Sequence, residues 1–386
     1  MPKAYYTAGI LHTKRILRRR QITIHSNTPF SMSNSARIIA FYLPQYHPIP
    51  ENDTWWGKGF TEWTNVAKAK PLFKGHDQPR IPADLGYYDL RVPEVREAQA
   101  QLAKTSGIEG FCYWHYWFGN GKRLLERPFD EVLKSGQPDF PFCLAWANET
   151  WQGFDFGSEG RNVLIEQNYP GEEDYIAHFQ EVLPAFLDKR YIQVNGKPLF
   201  YIYKPEQLPN PSRFIELWQE LAKKSGLKGV FFVCQGLDRH LLDQHEKAGF
   251  DAINTNRFKE LFHKRSLWSK IQRRVFRLPV IFNYKEVIKI LGDSADAKEN
   301  YFPTVIPNWD HTPRSGRRGN VFQNSTPKLF KKHLSDTLET IKDKPYEKKI
   351  IFLKSWNEWA EGNYVEPDKR FGLGYLEVIK SLIIEK

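Results

Sequence analysis

Two glutamates three positions apart, Glu358 and Glu361, stand among tryptophan, alanine and glycine in SWNEWAEGNYVEPD, residues 355–368. A glycosidic bond is usually split by two carboxyl groups, one giving a proton to the leaving oxygen and the other acting as base or nucleophile. Apolar rings around such a pair help to push their pKa values apart, because a carboxyl away from water keeps its proton longer. Trp356, Asn357 and Trp359 supply those neighbours, with Gly362 directly after Glu361. On a straight strand, residues three apart face opposite sides. Both glutamates reach one site only if the chain bends, and Gly362 and Asn363 favour a bend. Gly362 also leaves room where a sugar ring would approach. The competing reading is a surface turn carrying two solvated acids.

The pair follows an apolar run, and seven more such runs precede it. The eight are 37–44, 110–117, 141–148, 198–203, 229–236, 251–256, 303–310 and 349–359. Most lack polar alternation, as strands buried on both faces do. Helical patterns lie between them: 89–107 and 211–226 end in glycine, and 326–343 opens on Thr-Pro. Alternating strands and helices predict parallel β-α units. Eight of them predict an α/β fold, a closed (β/α)8 TIM barrel, which needs about 250 residues plus insertions. An open doubly wound sheet usually carries a Gly-rich phosphate loop, and neither G-x-G-x-x-G nor G-x-x-x-x-G-K-[ST] occurs in the chain. Long loops are expected after strand one, 45–88, and after strand six, 257–301.

A barrel gathers its working residues at the C-terminal ends of its strands. The predicted ends carry Tyr46, His47, Trp56, Glu62 and Trp63, then His115 and Tyr116, then Trp146, Asn148 and Glu149, then Trp309 and Asp310. With Trp356 and Asn357 these are the expected substrate contacts. Aromatic rings suit both sugar faces and protein cores, so each ring alone fits either use.

The rest of the composition narrows the setting. The chain has 386 residues and a net charge of +11, of which residues 1–37 carry seven basic and no acidic side chains. A basic segment 1–36, whose composition is that of a disordered N-terminal tail, precedes one catalytic domain, 37–386. It lacks the apolar run of a secretory signal, and its Arg-rich, acid-poor make-up also fits a transit peptide or an upstream start codon. Because most of the charge excess sits there, nucleic acid is not an expected partner. Cys112, Cys143 and Cys234 lie in apolar runs with no zinc spacing. They are expected to be reduced core residues of a cytoplasmic protein. No apolar stretch is long enough to span a membrane. Residues 265–278 pattern as a basic amphipathic helix, docked on the barrel or peripheral to an anionic membrane surface.

YLPQYHPIPENDTWWGKGFTEWTNVAKAKPLF, FCYWHYWF, LAWANETW, PTVIPNWDHTPR and SWNEWAEGNYVEPD resemble the WbsX-type glycosyltransferase family of bacterial surface-polysaccharide clusters, over about 37–380. That family is similar to glycoside hydrolase family 99, the endo-α-mannosidases and endo-α-mannanases, which have a (β/α)8 barrel and an N-E-W-x-E-G motif. The resemblance implies Glu358 as base and Glu361 as proton donor in a retaining reaction. The base deprotonates the sugar's own 2-hydroxyl, a 1,2-anhydro sugar forms, and water or another acceptor opens it. It implies no metal and no cofactor, and an oligo- or polysaccharide substrate, free or lipid-linked. Ala360 stands where the mannosidases often have histidine. Two alternatives remain open at this stage. One is a sugar-nucleotide-dependent transferase, with Arg314, Arg317 and Arg318 as cations for a diphosphate; no Asp-x-Asp is present to hold a metal. The other is a non-catalytic glycan-binding protein on an enzyme fold.

Overall fold

Eight parallel strands close on themselves. The computed structural model describes residues 36–154, 161–263 and 278–385. The strands are β1 (Arg37–Tyr42), β2 (Gly110–His115), β3 (Phe142–Trp146), β4 (Lys197–Ile202), β5 (Phe231–Gly236), β6 (Ala252–Thr255), β7 (Tyr301–Val305) and β8 (Ile350–Leu353). Each pairs in parallel with its neighbours in sequence. β8 also pairs with β1, Ile39 opposite Phe352, which closes the barrel. Nearly every strand residue is buried. That explains the unbroken apolar runs: one face of each strand fills the barrel and the other lies under helices.

Phe41 of β1 meets Tyr201 of β4 at 5.1 Å between ring centroids. These strands are not neighbours, so the contact runs across the barrel interior. Phe41 also stacks on Trp114 of β2 at 4.8 Å and on Phe352 of β8 at 5.2 Å. This aromatic cluster supports the mouth of the barrel from below. The expected helices form at Pro93–Thr105, Pro211–Lys224 and Pro327–Thr340. Two have side-chain caps, Asn210 accepting from the Arg213 amide and Thr326 from the Leu329 amide, which satisfy otherwise unpaired first-turn donors.

The strand ends differ from expectation at β7 and β8. β7 covers 301–305 rather than 303–310, and β8 ends at Leu353 rather than 359. In both places the chain leaves the barrel ladder for loop contacts. The Trp309 carbonyl accepts from the Phe322 amide, and the Ser355 amide donates to the Asn363 carbonyl. The loops after β1 and β6 are long, as expected. A third excursion follows β3, an antiparallel hairpin of Trp151–Phe154 with Arg161–Ile165. The β6 and β7 loops are tied together by Val280–Asn283 pairing with Asn320–Gln323. Cys112, Cys143 and Cys234 are free and buried. Among the described residues no helix is long and apolar enough to cross a membrane. The basic segment 1–36, apart from Ala36, and the 265–278 helix, apart from Leu278, lie outside the described residues.

Candidate active site

The bend that carries the two glutamates is a short hairpin. Asn357–Glu358 pairs antiparallel with Asn363–Tyr364, and Trp359–Glu361 forms one turn of 3-10 helix between them. Asn357 fixes this hairpin to the end of β1. Its Oδ1 accepts from the Leu43 amide at 2.7 Å and its Nδ2 donates to the Leu43 carbonyl at 3.0 Å. Tyr46 donates its hydroxyl to the Asn357 carbonyl and accepts from the Trp359 amide. Glu366 lies under the turn. It accepts from Trp359 Nε1 at 2.6 Å, Gln99 Nε2 at 2.7 Å and the Tyr88 hydroxyl at 2.9 Å. Burial pushes its carboxyl up to about 7, against the pull of those donors.

Gly362 closes the turn at φ +62°. A Cβ there would stand 2.7 Å from the Asp310 amide nitrogen and 2.9 Å from an Arg80 nitrogen. The missing side chain therefore makes room for the β7 loop, and the expected approach of a sugar at this point is corrected. Gly362→Ala is expected to destabilise the protein by about 1–3 kcal/mol from the left-handed backbone alone, with the clash adding to it. Urea unfolding checks this; an unchanged midpoint would mean that the loop yields freely.

Glu358 is buried, and its Oε1 accepts from Trp114 Nε1 at 2.9 Å. Burial raises its pKa, and the nearby Glu361 raises it further, while Lys354 and Arg314 offset part of the rise. Glu361 faces the loop after β7. Arg314 donates Nη1 to its Oε1 at 2.5 Å, and His311 Nε2 stands 3.8 Å from the same oxygen. Burial and the Arg314 charge push His311 down to about 4. Arg314 donates its other nitrogen, Nη2, to Glu62 Oε1 at 2.8 Å. The same Glu62 oxygen accepts from the Ala360 amide at 3.0 Å. Tyr116 and Glu149 complete the surroundings: burial and the Glu358 charge raise the tyrosine, and burial raises Glu149, with Lys204 opposing and Glu361 adding.

The structure thus brings Glu358, Glu361, Glu62, Tyr46, Tyr116 and Glu149 to one place. Other expected contacts are engaged by neighbouring parts of the protein. Asn148 bonds the Tyr169 hydroxyl and both the carbonyl and amide of Lys204. Trp63 donates to the Tyr88 carbonyl and Trp146 to the Trp117 carbonyl. Trp356 has no exposed surface and packs 5.1 Å from Phe111. Asp310 accepts from His76, Gln78 and both the amide and hydroxyl of Thr312. His115 bonds His178, Nε2 to Nε2, at 2.9 Å, and burial pushes it down to about 3. Trp63, Trp146, Asn148, Asp310, His115 and Asn357 thus have protein partners that hold them in place, while Trp356 is held by packing, its Nε1 buried without a hydrogen-bond partner among the described residues. His47 is buried with Nδ1 unpartnered. Trp309 gives its N–H to Asn320 and lies with its ring under the Lys354 ammonium. Trp56 is 41% exposed on the β1 loop, its ring edge against Gly153.

Sequence reasoning missed Glu366, placed Trp114 at the predicted rim without its bond to Glu358, and treated Arg314 only as a cation for a diphosphate. The one signal for Arg314 was its place four residues after Asp310, in NWDHTPR.

A closed (β/α)8 barrel with two glutamates on the turn after its last strand is the architecture of the chain. The chain matches the family model for glycosyltransferase WbsX over residues 38–379 and belongs to that family. It is 37% identical over 355 residues to the uncharacterized protein WxcX of Xanthomonas campestris pv. campestris strain B100, and 36% identical to its counterpart in strain ATCC 33913. Each match covers 90% of the chain, which spans about half the length of these curated relatives (50%). Among solved structures, a glycoside hydrolase-like protein superposes with a TM-score of 0.59 at 16% identity, over 93% of this chain and 97% of that one. The GH99 endo-alpha-mannosidase from Bacteroides thetaiotaomicron gives 0.55 at 17% identity, over 92% and 98%. These likenesses establish the TIM-barrel fold.

Proposed function

We propose that this chain cleaves or transfers a glycosyl group of a bacterial surface polysaccharide, an O-antigen or capsule, with Glu358 and Glu361 as its reacting carboxyls. The observation that carries the reading is the placement of both on one tight bend at the barrel mouth, Glu358 in a dry setting and Glu361 beside a guanidinium. Glu358 acts as the base. A raised proton affinity suits a carboxylate that must take the proton of a sugar 2-hydroxyl. That oxygen then attacks the anomeric carbon of the same ring while Glu361 protonates the departing oxygen. Water or a sugar hydroxyl then attacks the anomeric carbon of the resulting 1,2-anhydro sugar and gives its proton to Glu361, while the bond from that carbon to O2 breaks and Glu358 returns its proton to O2, so the anomeric configuration is retained and both carboxyls are restored. Trp114 orients Glu358 through its N–H.

Sugar-nucleotide-dependent transfer is the second reading, favoured by the family's description. Against it, Arg314 is already bound by two carboxylates, which leaves it poorly placed to clamp a diphosphate. The test is reducing-end release from the host's own surface polysaccharide with no sugar nucleotide added. Release supports bond cleavage by the pair. No release without a sugar nucleotide, and transfer once one is supplied, would move the assignment to the second reading.

A further inference from the structure

We propose that Glu62 is a positioning residue of the reaction, sharing Arg314 with Glu361 so that Glu361 can hold and return a proton. The proposal rests on the reading of Glu361 as donor and explains a difficulty in it. A guanidinium 2.5 Å from a carboxyl favours the charged form, whereas a proton donor must carry its proton near the working pH.

Glu62 answers this difficulty by geometry. It comes from the loop after β1, and no part of it is exposed to solvent. Its Oε1 binds the other nitrogen of the same guanidinium, so one cation serves two carboxylates. A second carboxylate on Arg314 cancels much of its pull on Glu361. The same Glu62 oxygen holds the amide of Ala360, the residue midway between Trp359 and Glu361 on the turn. Glu62 thereby fixes the spacing of the pair as well as its charge. Among the described residues its second oxygen, Oε2, is buried with no hydrogen-bond partner, so Arg314 and one amide are its bonded supports there. Burial raises the proton affinity of Glu62 itself; Arg314 and Ala360 lower it, and Glu358 adds to the rise.

The other charged or titratable groups around Glu361 are Glu358 on its own turn, His311 on the β7 loop, Glu149 after β3 and Tyr203 after β4. Lys354, at the end of β8, acts on Glu358, Glu149 and His311. Among the described residues only Arg314 bonds both Glu62 and Glu361, and that singles it out as the route of coupling.

The first test needs no substrate. Melting temperatures are measured for the full chain with Glu62→Gln, Glu361→Gln and both, and again in an Arg314→Met background. The effects of the two substitutions on melting temperature are expected to be non-additive with Arg314 present and additive without it. Additivity in both backgrounds, or equal coupling in both, overturns the proposal. If Arg314→Met does not fold, Arg314→Lys replaces it, since an ammonium cannot span both carboxylates in the same way. The second test is a pH–rate profile on the polysaccharide. Glu62→Gln leaves Arg314 to Glu361 alone, so the alkaline limb is expected to move to lower pH, with KM unchanged. A raised KM with an unmoved limb would make Glu62 a substrate ligand and overturn the proposal. Absence of turnover in the native protein would sink the glycosidic reading, while the melting cycle would still decide whether the coupling exists.

Discussion

Glu358→Gln and Glu361→Gln are each expected to lower turnover by about a thousandfold or more, with melting temperatures close to that of the native protein. Glutamine keeps the shape of each side chain. At 358 its carbonyl can still accept from Trp114, and the substitution removes a carboxyl whose charged form is disfavoured by burial. At 361 Arg314 keeps Glu62 as a partner. An aryl glycoside with a good leaving group separates the roles. Such a substrate needs no protonation on departure, so Glu361→Gln is expected to recover much of its rate on it and Glu358→Gln none. Recovery in the 358 variant instead would reverse the two assignments, and full activity in either variant on the natural glycan would end the case for the pair. The pH dependence has a definite sign. A base works only when ionised, so the rate rises as pH climbs through its pKa. Burial and Glu361 raise that of Glu358, so the acid limb is expected above the ordinary glutamate value of about 4.3.

The barrel was legible because its strands are buried on both faces. That burial makes each strand an apolar run, and each of the eight runs contains or overlaps one barrel strand. Strand ends were less legible. Trp309 and Trp356 are as apolar as the residues before them, but the Trp309 carbonyl pairs with Phe322 in the β7 loop and the Trp356 amide reaches only the carbonyl of Phe41, near the end of β1. The hairpin after β3 is short, and its apolar residues are split into Trp151, Phe154 and the three-residue stretch Val163–Leu164–Ile165, so it left no run long enough to read. Within the site, Glu358 and Glu361 were legible from residue type, since two acids among rings at three-residue spacing have few structural uses. Glu366 and Arg314 were not, because their value lies in partners far away in sequence: Gln99 for one, Glu62 for the other. The rim aromatics show the limit of composition. Trp63 and Trp146 are near the mouth as expected, yet their N–H groups are tied to backbone carbonyls and their faces to other rings. The sequence marks them as aromatic but not which face is free.

Asp310 offers the sharpest separation of support from contact. It was expected to touch substrate, and it has no exposed surface. Oδ2 accepts from His76 and Gln78, both at 2.7 Å, and Oδ1 from the amide and hydroxyl of Thr312 at 3.0 and 2.6 Å. Its own amide donates to the Glu361 carbonyl at 2.7 Å. Asp310 therefore joins the β1 loop, the one-turn helix that carries Arg314, and the turn that carries the pair. Asp310→Ala strands four donors, at least two of them in buried surroundings, and is expected to cost about 3–5 kcal/mol of stability. Asp310→Asn should cost less, because one oxygen remains to accept. Burial alone would raise the pKa of this carboxyl, but His76, the Arg80 charge and Thr312 outweigh it and leave it lowered. A lowered folded value means stability that is present above the ordinary aspartate value of about 3.9 and lost as pH falls through the folded one. Native protein is therefore expected to lose stability on acidification below about pH 4 more steeply than Asp310→Asn does. Urea melts of both proteins between neutral pH and pH 3 measure the difference. Parallel curves, or a variant that unfolds like native protein yet has a raised KM, would return Asp310 to the substrate.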